Sequence, residues 1–311
     1  MSKIAFLYPG QGAQKAGMGQ DFYEYSEKSK AVYDLASEIT GIDLRKLCFE
    51  ENNLLNRTDY TQLALLTTCL AITEEIRVNG IEPDLTAGLS LGEYAAIATA
   101  GGCSIEDAIK MIKVRGELMH GALPDGSGGM AAVLGLSAEK IEAVLKDERE
   151  VSIANYNCPG QIVITGKKAA IEKMAPKIKE AGAKRVLPLA VSGPFHSPYL
   201  SEAGRKLKET LDETCWKPLK IPYVTNVTAR IIDDIEKTPE LLEKQVSSSV
   251  MWEQSIRTMI GEGIDSFIEI GPGKTLSGFM KKIDKNVTML RIESVDDMKK
   301  VCQQLKEKEN E

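Results

Sequence analysis

Histidine is nearly absent from this chain: His120 and His196 are the only two among 311 residues. A histidine-rich metal site is therefore not expected, and chemistry that needs an imidazole has two candidates. The six cysteines (Cys48, Cys69, Cys103, Cys158, Cys215 and Cys302) form no CxxC pair and show no Cys/His ligand spacing. They read as reduced structural thiols of a cytoplasmic protein. No run of about 18 uncharged apolar residues occurs, so no membrane span is expected. The opening MSKIAFLYPGQG has an apolar stretch of only five residues, too short for a secretory leader and better read as a buried strand. A net charge of −6 argues against a general nucleic-acid binder, though not against a local basic patch. Repeats and low-complexity segments are also lacking.

What is present is an ordinary globular composition and an alternation of short apolar runs with longer helical patterns, which points to the α/β class. Ile4 to Tyr8 and Leu85 to Gly88 read as buried strands, with a helix over Thr61 to Asn79 between them. Ser104 opens a helix that runs to about His120 and buries Ile105, Ala108, Ile109 and Ile112. After the loop "GALPDGSGG" the period changes. Strands at Met130–Gly135, Val151–Asn155, Gln161–Thr165 and Arg185–Val191, with helices at Ala138–Lys146 and Ala169–Ala181, give the βαββαβ order of a ferredoxin-like unit. Residues 126–192 are read as that unit, inserted into a larger domain of residues 1–125 and 193–311. The larger domain resumes with a helix from about Tyr199, strands at Ile221–Thr225 and Ser266–Ile270, and a last helix near 294–308.

The stretch "AGLSLGEYAA", residues 87–96, sets Ser90 in a tight glycine-flanked bend between a strand and an alanine-rich helix. Such an elbow exposes a nucleophilic hydroxyl. It also suits a helix cap, with Glu93 three residues on as the capping-box partner. Two other glycine-rich turns fail as nucleotide loops: "GQGAQK" lacks a third glycine, and in "GPGKT" Ile268 stands where a phosphate loop needs its first glycine. Both follow strands, so both can lie beside Ser90 at the carboxyl edge of one sheet, where ligands bind.

A serine nucleophile needs a base. His120 ends a helix, where a histidine is often only a dipole partner. His196, in the loop "SGPFHSP" where the inserted unit rejoins the main domain, is better placed, since domain junctions form clefts. No aspartate stands out between residues 90 and 196 to orient it, which leaves a later residue or a backbone carbonyl. Arg115 lies on the apolar face of the Ser104 helix. Either a structural ion pair with a glutamate or a bound substrate carboxylate accounts for it.

With "PGQGAQ", "GLSLGE", "VRGELM", "NCPGQIVITG", "GPFHSP" and "EIGPGKTLSG" in this order, the chain resembles the malonyl-CoA:acyl-carrier-protein transacylases over essentially its whole length. The resemblance implies a hydrolase-like α/β core with a ferredoxin-like insert. It implies transfer of malonyl from malonyl-CoA to acyl carrier protein through a malonyl-serine, supplying fatty-acid synthesis, with no cofactor and no metal. Ser90 would attack, His196 would act as base and then acid, and Arg115 would hold the malonyl carboxylate. The amides of Gln11 and Leu91 would form the oxyanion hole, with Asn157 as a supporting polar group. The base would be oriented by the carbonyl of Met251, before the tryptophan of "SVMW". Phe195, as in related malonyl-selective polyketide acyltransferases, would exclude α-branched acyl groups. Leu89, Met251 and His120 depart from the family, which commonly has histidine at the first of these positions and glutamine at the other two. Lys184, Arg185, Lys281 and Lys282 are candidates for a basic patch that docks the carrier protein. The chain is read as a monomer with neither nucleic acid nor membrane as partner. A polyketide acyltransferase remains the nearest rival reading, and a serine thioesterase a more distant one, because Arg115 does not suit neutral acyl chains.

Overall fold

The apolar run Ile4–Tyr8 forms β1, and its last four residues are wholly buried, as a strand covered on both faces requires. The computed structural model describes residues 2–124, 126–191 and 193–309. After β1 come α1 (Gln20–Tyr25), α2 (Glu27–Thr40), α3 (Leu44–Phe49) and α4 (Thr58–Val78), which starts three residues before the predicted helix. Next, β2 (Leu85–Gly88) leads into α5 (Gly92–Thr99), every residue of which is buried, and then α6 (Ile105–His120). The Ser104 hydroxyl accepts from the Asp107 N–H at 3.0 Å and fixes the start of α6.

The following segment is β3 (Gly128–Leu134), α7 (Ala138–Leu145), β4 (Val151–Cys158), β5 (Gln161–Lys167), α8 (Lys168–Glu180) and β6 (Arg185–Pro188). These strands make an antiparallel sheet in the order β4-β5-β3-β6. The remainder is α9 (Ser201–Glu213), β7 (Tyr223–Val224), β8 (Ile231–Ile232), α10 (Thr238–Gln245), α11 (Trp252–Gly261), β9 (Ser266–Ile270), α12 (Thr275–Ile283), β10 (Thr288–Ile292) and α13 (Val295–Glu309). The larger sheet has the order β10-β9-β1-β2-β7-β8, all parallel except β8. The fold is thus α/β, a hydrolase-like core with a ferredoxin-like insertion. The two junction residues of the predicted insert, Asp125 and Ser192, lie outside the described residues. No described helix is long and apolar enough to cross a membrane.

Several boundaries differ from the sequence reading. Gly128 and Gly129 belong to β3 rather than the preceding loop, because they pair with Lys167 and Gly166. The last strand of the insert stops at Pro188 instead of Val191; there the Val191 N–H turns back to the Leu189 carbonyl at 2.9 Å. The predicted strand Ile221–Thr225 shrinks to two residues. The edge strand β10 was not foreseen. The small sheet is fastened to the segment between α10 and α11: the Tyr156 N–H donates to the Val250 carbonyl at 2.9 Å, and the Val250 N–H to that of Ala154 at 2.8 Å.

The bend between β2 and α5 is close-packed backbone on backbone. A Cβ on Gly88 would sit 1.9 Å from the Gly92 carbonyl, and one on Gly92 would sit 2.4 Å from the Tyr8 carbonyl oxygen. Neither backbone can swing aside as a side chain can. Gly88→Ala is therefore expected to cost at least the ~1–3 kcal/mol typical of overpacking. Thermal unfolding followed by circular dichroism checks this, and an unchanged midpoint would contradict the close approach.

Candidate active site

Ser90 joins β2 to α5 with φ of 55°, a left-handed conformation that a side-chain-bearing residue adopts only under restraint. Asn226 supplies much of that restraint. Its Oδ1 accepts from the Ser90 N–H at 2.7 Å, and its Nδ2 donates to the Gly88 carbonyl at 2.7 Å, so one amide clamps both sides of the bend. The helix-cap reading of Ser90 does not hold. Leu91 is the N-cap of α5 and no side chain caps it. Glu93 faces the interior instead, where its Oε2 accepts from Gln245 Nε2 at 2.6 Å and from the Asn226 N–H at 3.3 Å.

The Ser90 hydroxyl points at His196, with Oγ 2.7 Å from Nε2. His196 is buried and also left-handed, with φ of 57°. Its Nδ1 lies 2.8 Å from the main-chain oxygen of Gln245. A carbonyl only accepts, so Nδ1 carries the proton and Nε2 presents a lone pair to the serine. Met251 was expected to supply this carbonyl, and here the structure corrects the sequence reading. The Met251 oxygen accepts from the Ser255 N–H and Oγ, both at 2.9 Å, because Met251 starts α11 and its carbonyl points along that helix. Burial, and then the charge of Arg115, push the His196 imidazole down to about 4 against the opposing hydrogen bonds of the Gln245 and Ser248 backbones. It is an uncharged base at neutral pH.

Arg115 sits on the inner face of α6 with 1% exposure. No described carboxylate forms a salt bridge with it. The structural ion pair is thus not made. Instead Nη1 donates to Gln62 Oε1 at 2.5 Å, and Nη2 to Gln245 Oε1 at 2.9 Å and to Ser90 Oγ at 3.1 Å. The Tyr94 ring lies 5.5 Å from the guanidinium carbon. Burial lowers the affinity of Arg115 for its proton, and Tyr94 and Glu93 oppose that fall; a guanidinium keeps its charge regardless. Glu93, wholly buried, is pushed up to about 7 by desolvation.

These groups open on one cleft between the two sheets. Gln11, Ser90, Leu91 and Leu89 line it from the carboxyl edge of the large sheet, Asn157 and Val163 from the small one, and Met119, Met130, Phe195 and Phe279 make apolar walls. The main-chain N–H groups of Gln11 and Leu91 donate to no described residue. Asn157 Oδ1 is buried without a partner there. His120 ends α6 and does not line the cleft. Lys184, Arg185, Lys281 and Lys282 are exposed and lie outside it, with Lys282 Nζ 3.5 Å from Gln161 Oε1. Sequence reasoning missed Gln62, Asn226 and Gln245. Gln62 carried a faint signal, an amide inside the apolar run "QLALL". Gln245 carried none, since a main-chain carbonyl leaves no mark on residue type.

The fold and this serine–imidazole pairing are those of an α/β acyltransferase, and the acyl transferase domain family matches residues 5–309. Malonyl CoA-acyl carrier protein transacylase of Bacillus subtilis (strain 168) is 44% identical over 99% of this chain and 98% of that protein. The chain belongs to the malonyl-CoA:acyl-carrier-protein transacylase family. The transacylase structure from Clostridium perfringens aligns with a TM-score of 0.95 at 42% identity, covering 99% of this chain and 98% of that one. The structure of a type II PKS acyl-carrier protein in complex with its malonyl-transacylase aligns with a TM-score of 0.94 at 34% identity, covering 97% and 100%.

The environment of His196 sets a testable titration. Its midpoint by NMR is expected near 4 rather than the ordinary 6.5, and higher in Arg115→Ala, which removes one of the two lowering causes. A folded-state value below the unfolded one means that this imidazole's contribution to stability is complete above 6.5 and is lost as pH falls toward 4. A wild-type midpoint at or above 6.5 would contradict a buried, cation-facing base.

Proposed function

We propose that this chain transfers the malonyl group from malonyl-CoA to the phosphopantetheine thiol of acyl carrier protein through a malonyl ester of Ser90. One observation carries the reading: a neutral imidazole at 2.7 Å and a buried cation at 3.1 Å meet at the same hydroxyl. As Oγ attacks the thioester carbonyl, His196 Nε2 takes the hydroxyl proton. The free N–H groups of Gln11 and Leu91 receive the developing oxyanion. The intermediate collapses, the sulfur of coenzyme A leaves, and His196 returns the proton to it. The carrier thiol then repeats the sequence in reverse, giving its proton to His196 and regenerating the Ser90 hydroxyl. Transfer between two thiols is nearly thermoneutral, so the task is to exclude water. The apolar walls of the cleft do that.

Arg115 holds the malonyl carboxylate, Asn157 offers its unpartnered oxygen to a substrate donor, and Phe195 limits the room for an α-branch. The Gln245 carbonyl, in place of Met251, orients the base. Lys184, Arg185, Lys281 and Lys282 form the docking patch for the carrier protein. The core comprises residues 1–125 and 193–311 and the insert residues 126–192, a division supported by Gly128 packing against Pro194 where the chain leaves and returns. Unpaired thiols fit a cytoplasmic setting. Supply of fatty-acid synthesis is the preferred role. The 34% identity to a transacylase seen with a type II PKS carrier keeps polyketide assembly as a second reading.

Intact mass after incubation with malonyl-CoA, and then with carrier protein, tests the reaction. A malonyl adduct is expected on the enzyme, moving to the carrier, and none on Ser90→Ala, whose fold is unchanged. A stable adduct on the alanine variant would sink the assignment of the nucleophile.

The role of Arg115 is tested by the ratio of malonyl to acetyl transfer. Losing one partner of a buried charged pair costs ~2–5 kcal/mol, or roughly 30- to 5,000-fold. Arg115→Ala should lose the malonyl preference by such a factor while acetyl-CoA, with no carboxylate, loses little. Arg115→Lys should rescue only in part, since an ammonium lacks the planar fork. An unchanged ratio in Arg115→Ala would show that the guanidinium does not meet the substrate.

A further inference from the structure

A cation as buried as Arg115 ordinarily meets a carboxylate, because an uncompensated charge away from water is costly. Here both of its side-chain amide partners, Gln62 and Gln245, are electrically neutral. Their orientation is fixed by what lies on their far sides. Gln62 is 1% exposed, and its Nε2 donates to Met119 Sδ at 3.5 Å, which leaves Oε1 facing the guanidinium at 2.5 Å. Gln245 Nε2 is held by Glu93 Oε2 at 2.6 Å and the Ser90 carbonyl at 2.9 Å, which turns its Oε1 toward Arg115. The Glu93 carboxylate in this network therefore stands one amide away from the cation. The guanidinium is positioned by dipoles and neutralised by none of them.

We propose that Gln62 is a specificity-determining positioning residue: its neutral carbonyl fixes Arg115 in the cleft while leaving the positive charge unspent for a carboxylate on the substrate. This rests on the reading that Arg115 binds the malonyl carboxylate. A glutamate at position 62 would differ from the glutamine by one atom and one charge. It would place an internal carboxylate on Nη1, and a malonyl group would then have to enter beside a like charge.

Three variants test this, each assayed with malonyl-CoA and acetyl-CoA, with His196 titrated by NMR in parallel. Gln62→Glu is expected to lower the malonyl-to-acetyl ratio at least ~30-fold, the lower end of the loss expected from deleting the cation. The His196 midpoint should rise, because the charge that depresses it is neutralised. Gln62→Leu removes the carbonyl without adding charge; the malonyl-to-acetyl ratio should fall by much less than in Gln62→Glu, because the guanidinium keeps its charge and its Gln245 partner, and the His196 midpoint should stay unmoved. The proposal is overturned if Gln62→Glu keeps the wild-type ratio, or if Gln62→Leu loses it by the same factor. It is overturned as well if Gln62→Glu does not fold, since the added carboxylate should relieve a buried unpaired charge. Arg115→Ala separates the underlying reading: an unchanged ratio there overturns the carboxylate site itself, whereas a lost ratio there with a kept ratio in Gln62→Glu overturns only the role given to Gln62.

Discussion

The main-chain oxygen of Gln245 holds His196 Nδ1 at 2.8 Å, while the side chain of the same residue reaches Arg115, the Ser90 carbonyl and Glu93. Four groups that the sequence scatters from residue 90 to residue 196 thus share one anchor. If Gln245 moved by an ångström, the imidazole, the guanidinium and the Ser90 backbone would all move with it. This is why the last residue of α10 matters more than its exposed neighbours on that helix. The anchor is itself tied down. Five residues further on, Val250 pairs with β4, so the position of the small sheet and the position of Gln245 are mechanically linked.

The backbone at the site is strained at both Ser90 and His196. Ser90 and His196 are two of only three non-glycine residues with positive φ among those described. Each such conformation costs on the order of 1–3 kcal/mol and persists only where its surroundings over-determine it. For Ser90 the surroundings are Asn226 on either side of the bend and Gln245 on the carbonyl. For His196 they are the Gln245 carbonyl and the burial of the ring. The strain presents both side chains toward each other, Ser90 from the bend after β2 of the large sheet and His196 from the segment after β6 of the small one, a placement that relaxed helix or strand geometry would not produce.

Sequence carried the periodic and the local parts of this fold. β1, β2, β9 and the βαββαβ order were legible because apolar runs and helical spacing leave a signature within ten or so residues. The elbow at Ser90 was legible for the same reason. Partners distant in the chain were not. Asn226 acts on a residue 136 positions away, and Gln245 on one 155 positions away. The choice of Met251 for the orienting carbonyl missed by six residues, because any residue can offer a main-chain oxygen and only tertiary placement selects one. Strand ends drifted for a related cause: β10 is a half-buried edge strand of mixed polarity, and β6 ends where the chain turns rather than where its apolar residues end.

The electrostatics of the cleft join specificity to catalysis on the reading proposed above. His196 is depressed by its burial and by the charge of Arg115. A weak base suits an empty site, because it stays unprotonated and ready near neutral pH, but it draws only weakly on a serine proton. A carboxylate seated on Arg115 removes the second cause of the depression and leaves the first. The imidazole then becomes more basic at the moment the malonyl thioester is in place, and less so when a neutral acyl group enters. An internal carboxylate on Arg115 would have raised that basicity permanently and would have filled the place where the substrate's charge belongs. Neutral amides around the cation preserve both the vacancy and the coupling.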